Sequence, residues 1–272
     1  MIRNLLTRIV LLILVFSVQV AQSQPPQQEW ISLFNGKDLD DWIPKFTGQE
    51  LGVNYLDTFR VENGIFKVSY DNWDDFNGEF GHIFYKEPFS HYLLRVEYRF
   101  AGEQVTNGPD WAYRNNGIML HSQSPQSMTI DQEFPASIEA QLLGGNGVDE
   151  RQTGNVCSPG THYVMNRELI TVHCTNSTSQ TYHGDQWVTM EIEVRGSSLI
   201  RHVVNGETVF EYSNVQLDRE DPDAQRLLES GASLYVREGY ISVQAESHPT
   251  EFRRIDLLPL PTFQPCLSLP CN

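Results

Sequence analysis

The sequence predicts an all-β protein, a sandwich or barrel of short antiparallel strands. Three observations carry this. Apolar residues alternate with polar ones at period two, as where Leu94, Val96, Tyr98 and Phe100 oppose Leu93, Arg95, Glu97 and Arg99. Three of the seven Asn-Gly dipeptides, at Asn35, Asn63 and Asn205, stand beside such runs. Asn-Gly supplies the positive-φ pair that a tight hairpin needs. Helix-like patterning is confined to one stretch, 218–230.

In order, WISLFNGKDLDDWIP turns at Asn35-Gly36, and FRVENGIFKV (59–68) reads as a hairpin. Residues 70–81 are acidic, aromatic and turn-rich, a loop at a binding rim. His91–Ala101 is a strand, and 102–116 is a polar loop carrying Trp111 and Tyr113. Asn115–His121 and Ile138–Leu142 then face each other across a polar connection. A hairpin around Asn166-Arg167 follows, then strands at Trp187–Arg195, at Ser198–Tyr212 about Asn205-Gly206, at Gly239–Ser247 and at Phe252–Leu258. That makes ten to fourteen strands without an internal repeat or a low-complexity break, so residues 28–260 read as one domain and 261–272 as a tail.

The chain has 272 residues, 40% hydrophobic and 20% charged, an ordinary globular composition. Residues 1–23 read as a secretory signal peptide: a basic start with Arg3 and Arg8, an apolar run from Ile9 to Val20, and a small-x-small site at Ala21-Gln22-Ser23. The run is too short to span a bilayer, so stable membrane insertion after cleavage is not expected, and the mature protein would be secreted or periplasmic. The formal charge of −16 grows more negative once Arg3 and Arg8 are removed. Such a balance argues against nucleic acid and anionic lipid as partners. An exported chain favours disulfides. Four cysteines allow three pairings; Cys157 with Cys174, closing one loop, and Cys266 with Cys271, closing the tail, are the favoured ones. A metal site from Cys157, His162, His173 and Cys174 is the weaker reading, for it lacks a Cys-x-x-Cys pair.

Three polar sets interrupt otherwise core-forming strands. Asn115, His121, Glu139 and Gln141 form the first; Glu139 and Gln141, two apart, point the same way about 7 Å apart. Gln244, Glu246 and His248 form the second, in QAESH. Tyr182, His183, Asp185 and Trp187 form the third, in TYHGDQW. Carboxylate with imidazole on one sheet face suits general acid–base work; carboxylate with amides suits hydroxyl binding. For any one of these residues a solvated face is an equally good reading. Aromatics at Trp73, Trp111, Tyr113 and Tyr182 could stack on sugar rings, although each alone is more often rim or core. No nucleophile elbow, phosphate loop, dinucleotide fingerprint or zinc-protease motif is present.

LFNGKDLDDW, FRVENGIFKV, RNNGIML, SIEAQ, GDQWVTMEIEVRG, HVVNGE and GYISVQAESHPTEFRRIDLLPL occur in this order. Together they resemble the bacterial 3-keto-disaccharide hydrolase domain family, from about Leu33 to Leu260. The resemblance implies a concanavalin-A-like jelly-roll sandwich, export, and action on glycosides oxidised at C3. Its motifs fall on Asn115 to Ile118, Glu139 and Gln141, Asn205 and Gly206, Gln244, and Phe252 to Ile255. Two departures mark a distinct subgroup: Leu142 stands where many members carry Asp, and His121 where many carry Arg.

The chemistry so implied is removal of the C2 proton, elimination of the C1 leaving group and addition of water. It needs a base, expected at Glu139 or His121, and an acid, expected at Glu246 with His248 or His183. Asn115, Gln141 and Gln244 would bind the ketone or hydroxyls, with Trp111 and Tyr182 alongside. A divalent cation could stabilise the enolate; the sequence neither demands nor excludes it. The alternatives are a non-catalytic, lectin-like carbohydrate-binding module and a glycosidase using Glu139 and Glu246 as its two carboxylates. In each case the partner is a carbohydrate.

Overall fold

The computed structural model describes residues 29–262. The expected signal peptide and the Cys266–Cys271 pairing lie outside the described residues. In chain order the strands are β1 (Ile31–Ser32), β2 (Trp42–Phe46), β3 (Phe59–Glu62), β4 (Ile65–Val68), β5 (Gly81–Tyr85), β6 (His91–Phe100), β7 (Asn115–Ser122), β8 (Ile138–Leu143), β9 (Asn155–Cys157), β10 (Thr161–Met165), β11 (Glu168–Ile170), β12 (Cys174–Thr175), β13 (Val188–Arg195), β14 (Ile200–Val204), β15 (Glu207–Leu217), β16 (Tyr240–Ala245) and β17 (Thr250–Pro259). The helix-like stretch yields one helix, α1 (Pro222–Glu229), with Pro222 in its first turn. Asp221 caps it, accepting from the backbone N–H groups of Asp223 and Ala224.

Two antiparallel sheets stack as a jelly-roll sandwich. One runs β11-β10-β15-β14-β13-β6-β17-β4-β3, with β1 added beside β17; the other runs β12-β9-β8-β7-β16-β5-β2. Two Asn-Gly turns behave as their composition requires: Asn63 and Gly64 close β3–β4 at φ 52° and 77°, and Asn205 and Gly206 close β14–β15 at 47° and 88°. Asn166-Arg167 does the same for β10–β11.

The core lies between the sheets. Leu94, Val96, Tyr98 and Phe100 on β6, Met190, Ile192 and Val194 on β13, Ile118 and Leu120 on β7, and Ile241, Val243 and Ala245 on β16 all belong to one apolar cluster. The outer face of the larger sheet carries paired charges: Arg95 with Glu191 (2.8 Å), Arg99 with Glu251 (2.6 Å) and Arg201 with Glu193 (2.8 Å). Trp187 sits there between the guanidinium groups of Arg99 and Arg253, each 4.6 Å from its ring.

The sequence reading missed β5 and β9 of the smaller sheet. Both are buried on both faces, so they carry no alternation to read.

Candidate functional site

The smaller sheet differs from the larger on its outer face, which is buried yet polar. Lys45 on β2 pairs with His82 on β5, and His82 pairs with Gln244 on β16. Gly117 on β7 pairs with Gln141 on β8, and Gln141 with Asn155 on β9. Val243 opposite Ile118 puts Gln244 beside Gly117, closing the gap. One row of polar groups thus crosses six strands. A second row runs beside it through Phe84, Ser242, Met119, Glu139 and Cys157. Phe84 and Met119 are fully buried but stand apart from the inter-sheet core cluster, which marks this face as distinct from the core.

Glu139 and Gln244 converge over Gly117. A methyl group at 117 would land on the Glu139 carboxyl and 2.5 Å from Gln244 Oε1. Glu246, two residues beyond Gln244, holds a second carboxyl close enough for its charge to act on Glu139. Burial, then the Glu246 carboxylate, pushes the Glu139 carboxyl well above the ordinary carboxylate range; the Gln244 amide opposes the shift. Burial also pushes Glu246 upward. Two carboxyls in a dry space cannot both ionise cheaply, so each holds its proton to higher pH than a solvated carboxyl does.

Polar atoms here lack partners. Glu139 Oε1, Glu246 Oε2, both Gln244 amide atoms, Ser242 Oγ, Asn115 Oδ1 and both ring nitrogens of His82 and His248 are buried with no hydrogen bond. An unpaired buried polar atom costs about 1–3 kcal/mol. Most of them share one face of the smaller sheet, whereas the outer face of the opposite sheet pairs its charges.

Each expected site residue has a definite place. Glu139, Gln244 and Glu246 come together. Gln141 shares their face, its Oε1 accepting from Asn155 Nδ2 (2.8 Å). Asn115 lies one row further along β7, opposite Leu143.

His121 does not join them. A bulge between Tyr240 and Ser242 shifts the β16–β7 register, His121 takes φ 50°, and its Nε2 donates to the carbonyl of Gly196 at the far end of the other sheet. Burial lowers its pKa to about 4, so it is a neutral imidazole tied to a turn.

His248 is carried away from Glu246 by Ser247, whose φ of 91° breaks the expected alternation of QAESH. It packs against the rings of Tyr113 (5.0 Å) and Phe100 (5.7 Å). Burial first, then Arg114, lowers its pKa to about 3. His183 is exposed and bridges to Gly145, at the rim. Tyr182 beside it is half-buried against the core, and its carbonyl accepts from Gly145 N–H. Trp111 is half-exposed and stacks on Phe80 at 5.8 Å. Trp73 is a core residue whose indole donates to Thr58 Oγ1.

Cys157 and Cys174 form the expected disulfide, pairing β9 with β12 beside Glu139. Among the described residues no three of His, Cys, Asp and Glu converge to hold a metal ion.

Sequence reasoning missed His82, Ser242, Lys45, Tyr70 and Asn155. Burial, then Lys45, lowers the His82 pKa to about 3. The signal was present for Ser242: a polar residue at the alternate position of YISVQA shares a face with Gln244.

The fold and the site define an antiparallel two-sheet sandwich with carboxyls and amides gathered on one buried sheet face. The chain belongs to the 3-keto-alpha-glucoside-1,2-lyase-like domain family, whose pattern matches residues 29–258. Its ligand class is accordingly a carbohydrate. Two crystal structures from Parabacteroides distasonis, each named a putative glycosyl hydrolase, share the fold. One aligns with a TM-score of 0.52 at 15% identity over 85% of this chain and 94% of the other. The second gives 0.51 at 15% identity over 85% of this chain and all of its own. No functionally curated protein matches the sequence.

Proposed function

We propose that the protein is an exported enzyme that cleaves 3-keto-glycosides by C2 proton abstraction, elimination and hydration. The observation that carries this is the Glu139 carboxyl over Gly117 with the Glu246 carboxyl near enough for its charge to act on it, both buried and both with an unpartnered oxygen. A ketone at C3 acidifies the C2 proton. The ionised carboxylate takes that proton, and the C–H electrons move to the C3 oxygen as an enolate. The enolate collapses, the C1–O bond breaks, and the protonated carboxyl gives its proton to the departing oxygen. Water then adds across the C1–C2 double bond to release the 3-keto sugar. A base with a raised pKa and an acid beside it suit this sequence at neutral pH.

We assign the base to Glu139, whose carboxyl lies over Gly117, and the acid to Glu246. Gln244, with Asn115 and Gln141, would donate to the enolate oxygen or the hydroxyls. His121 has no role in this scheme. Export is supported by the signal-like residues 1–23 and fits the disulfide.

The test is a release assay on a 3-keto-glucoside and on the unoxidised disaccharide. The native protein should consume only the first. Glu139→Gln and Glu246→Gln should each lose about 100-fold or more, as expected for a removed acid or base. His121→Ala should retain turnover. Full activity in both Gln variants overturns the assignment. Binding of intact glycans with neither substrate consumed makes the protein a sugar-binding module instead.

A further inference from the structure

A cavity of about 880 Å³ lies where the ends of β7 and β15 meet α1 and the segment leading into β16. His121 and Ser122 line it from β7, Leu217 from β15 and Leu227 from α1. Tyr235 and Arg237, both exposed, line it too, so it reaches the surface. That volume is ordinary for a small-molecule site. Ser122 stands five residues beyond Gly117 on β7, about 16 Å along the strand. A small molecule seated here is out of reach of the Glu139 carboxyl, which lies over Gly117. The proposed reaction uses none of the residues that line this cavity.

Its polar end is built, not incidental. His121 and Ser122 are each 2% exposed, and among the described residues His121 Nδ1 and Ser122 Oγ have no hydrogen-bond partner. Between the Ser122–Tyr240 and Met119–Ser242 pairs, β7 holds one residue more than β16, and His121 sits in that bulge at φ 50°. A bulge re-aims the side chain it carries. His121 Nε2 lies 3.0 Å from the Gly196 carbonyl, which can only accept, so Nε2 holds the ring hydrogen. Burial keeps the imidazole neutral. Nδ1 is then a bare acceptor, with a free hydroxyl on the next residue.

The rest of the lining selects the ligand. Leu217, Leu227 and Val236 belong to a small apolar cluster separate from the inter-sheet core. Arg237 and Glu238 are adjacent, exposed and opposite in sign, so the cavity carries no net formal charge. A sugar would set hydroxyls against leucine and valine on several sides, without partners. A flat, neutral ring with a single hydroxyl leaves nothing unpaired. The hydroxyl donates to Nδ1 and accepts from Ser122, and the ring takes the apolar wall and the Tyr235 side chain.

We propose that this cavity is a binding site for a neutral phenol, its hydroxyl donating to His121 Nδ1 and its ring lying against Leu217, Leu227 and Tyr235. The site and the catalytic reading of Glu139 and Glu246 stand independently of each other.

Calorimetry on the full chain, with 2-naphthol and its methyl ether as probes, tests this. 2-Naphthol should bind at one site. The ether keeps the rings and an accepting oxygen but has no hydrogen to donate, so it should bind about tenfold more weakly. His121→Phe should bring 2-naphthol down to the affinity of the ether. Ser122→Ala should weaken 2-naphthol by about threefold to tenfold. Leu227→Trp, on a half-buried position of α1, fills the space and should abolish binding of both probes. His121→Phe also gives up the bond to Gly196, so an unfolding midpoint is measured for every variant; should one fail to fold, the two probes on the native chain and the remaining variants decide.

No binding of 2-naphthol to the native chain, equal affinity for phenol and ether, or undiminished binding to folded Leu227→Trp overturns the proposal. Displacement of 2-naphthol by glucose makes the cavity a sugar site and overturns the assigned ligand class.

Discussion

The Glu139 carboxyl occupies the space above Gly117 that any side chain at 117 would need. Gly117 has no positive φ, so the glycine is there for room and not for backbone freedom. Gly117→Ala is therefore compatible with the strand, and the atoms it meets are the ends of two flexible side chains, Glu139 and Gln244. Stability should change by no more than about 1–2 kcal/mol. Turnover of a 3-keto-glucoside should fall about 100-fold, because the displaced carboxyl loses its alignment. Denaturant midpoints and release assays on one preparation check both halves. A variant that unfolds, or one that keeps full turnover, contradicts the placement of Glu139.

Stability should pass through a maximum near neutral pH, with opposite groups shaping its two sides. In the unfolded chain Glu139 and Glu246 ionise near 4.5, while in the native state burial holds them above that value. The native state then binds more protons, so their contribution falls as pH rises from 4.5 through the raised native values. Buried His82 and His248, lowered to about 3, and His121 and His202, lowered to about 4, act the other way. Their contribution is full above 6.5 and is lost as pH falls from there toward the native values. Each group contributes a slope of at most about 1.4 kcal/mol per pH unit. Urea titrations at pH 5, 6.5 and 8.5 should show the highest stability at 6.5. The Glu139→Gln, Glu246→Gln double variant should lose the decline at 8.5, and an unchanged decline would refute the raised carboxyls.

Asn155 ties three segments together. Its Nδ2 donates to Gln141 Oε1 (2.8 Å) and to the Gln152 carbonyl (3.0 Å), and its Oδ1 accepts from Ser177 N–H (2.8 Å). Ser177 follows Cys174 by three residues, so the disulfide holds it in reach. Asn155→Ala should cost about 1–3 kcal/mol through the stranded partners. Replacing both cysteines by Ser should cost about 3 kcal/mol for a loop of this size. The two changes should not add: once β12 is released, the Asn155 brace is already partly lost. A double-mutant cycle should show a combined cost about 1 kcal/mol below the sum, and strict additivity would separate the brace from the disulfide.

The fold was legible where one sheet face is wet. β6 and β13 alternate buried and half-buried residues along their whole lengths, and the Asn-Gly turns bracket β3–β4 and β14–β15. β5 and β9 were illegible because both their faces are dry, so nothing polar marks a period. The same dryness hid half of the site: His82 sits in Gly-His-Ile-Phe-Tyr, where a lone histidine gives no pattern. Glu139 and Gln141 were readable as a pair, since two polar residues two apart on an apolar strand declare a common face. His121 and His248 were misplaced by a plain alternation rule, because positive φ at His121 and at Ser247 turns the chain where the sequence shows no glycine. Such backbone is set by tertiary contacts, and single-residue chemistry does not announce it.

Ser247 shows how that strain is held. At φ 91° and fully buried, it adopts a conformation that L residues avoid. Its N–H donates to Tyr70 Oη (2.7 Å), its carbonyl accepts from Val105 N–H (3.0 Å), and its Oγ accepts from Gln104 Nε2 (2.8 Å). Glu246 is thereby fixed from behind. Ser247→Ala keeps the strain and loses the Gln104 contact. Ser247→Gly loses the same contact and relieves the strain. Gly should therefore be more stable than Ala here by about 1 kcal/mol, the reverse of the order in an ordinary strand. Tyr70→Phe should cost about 1–3 kcal/mol, since it strands a buried N–H. Chemical denaturation of the three variants measures both effects. If Ala proves the more stable at 247, the backbone is not strained as described, and the fixed position of Glu246 loses its support.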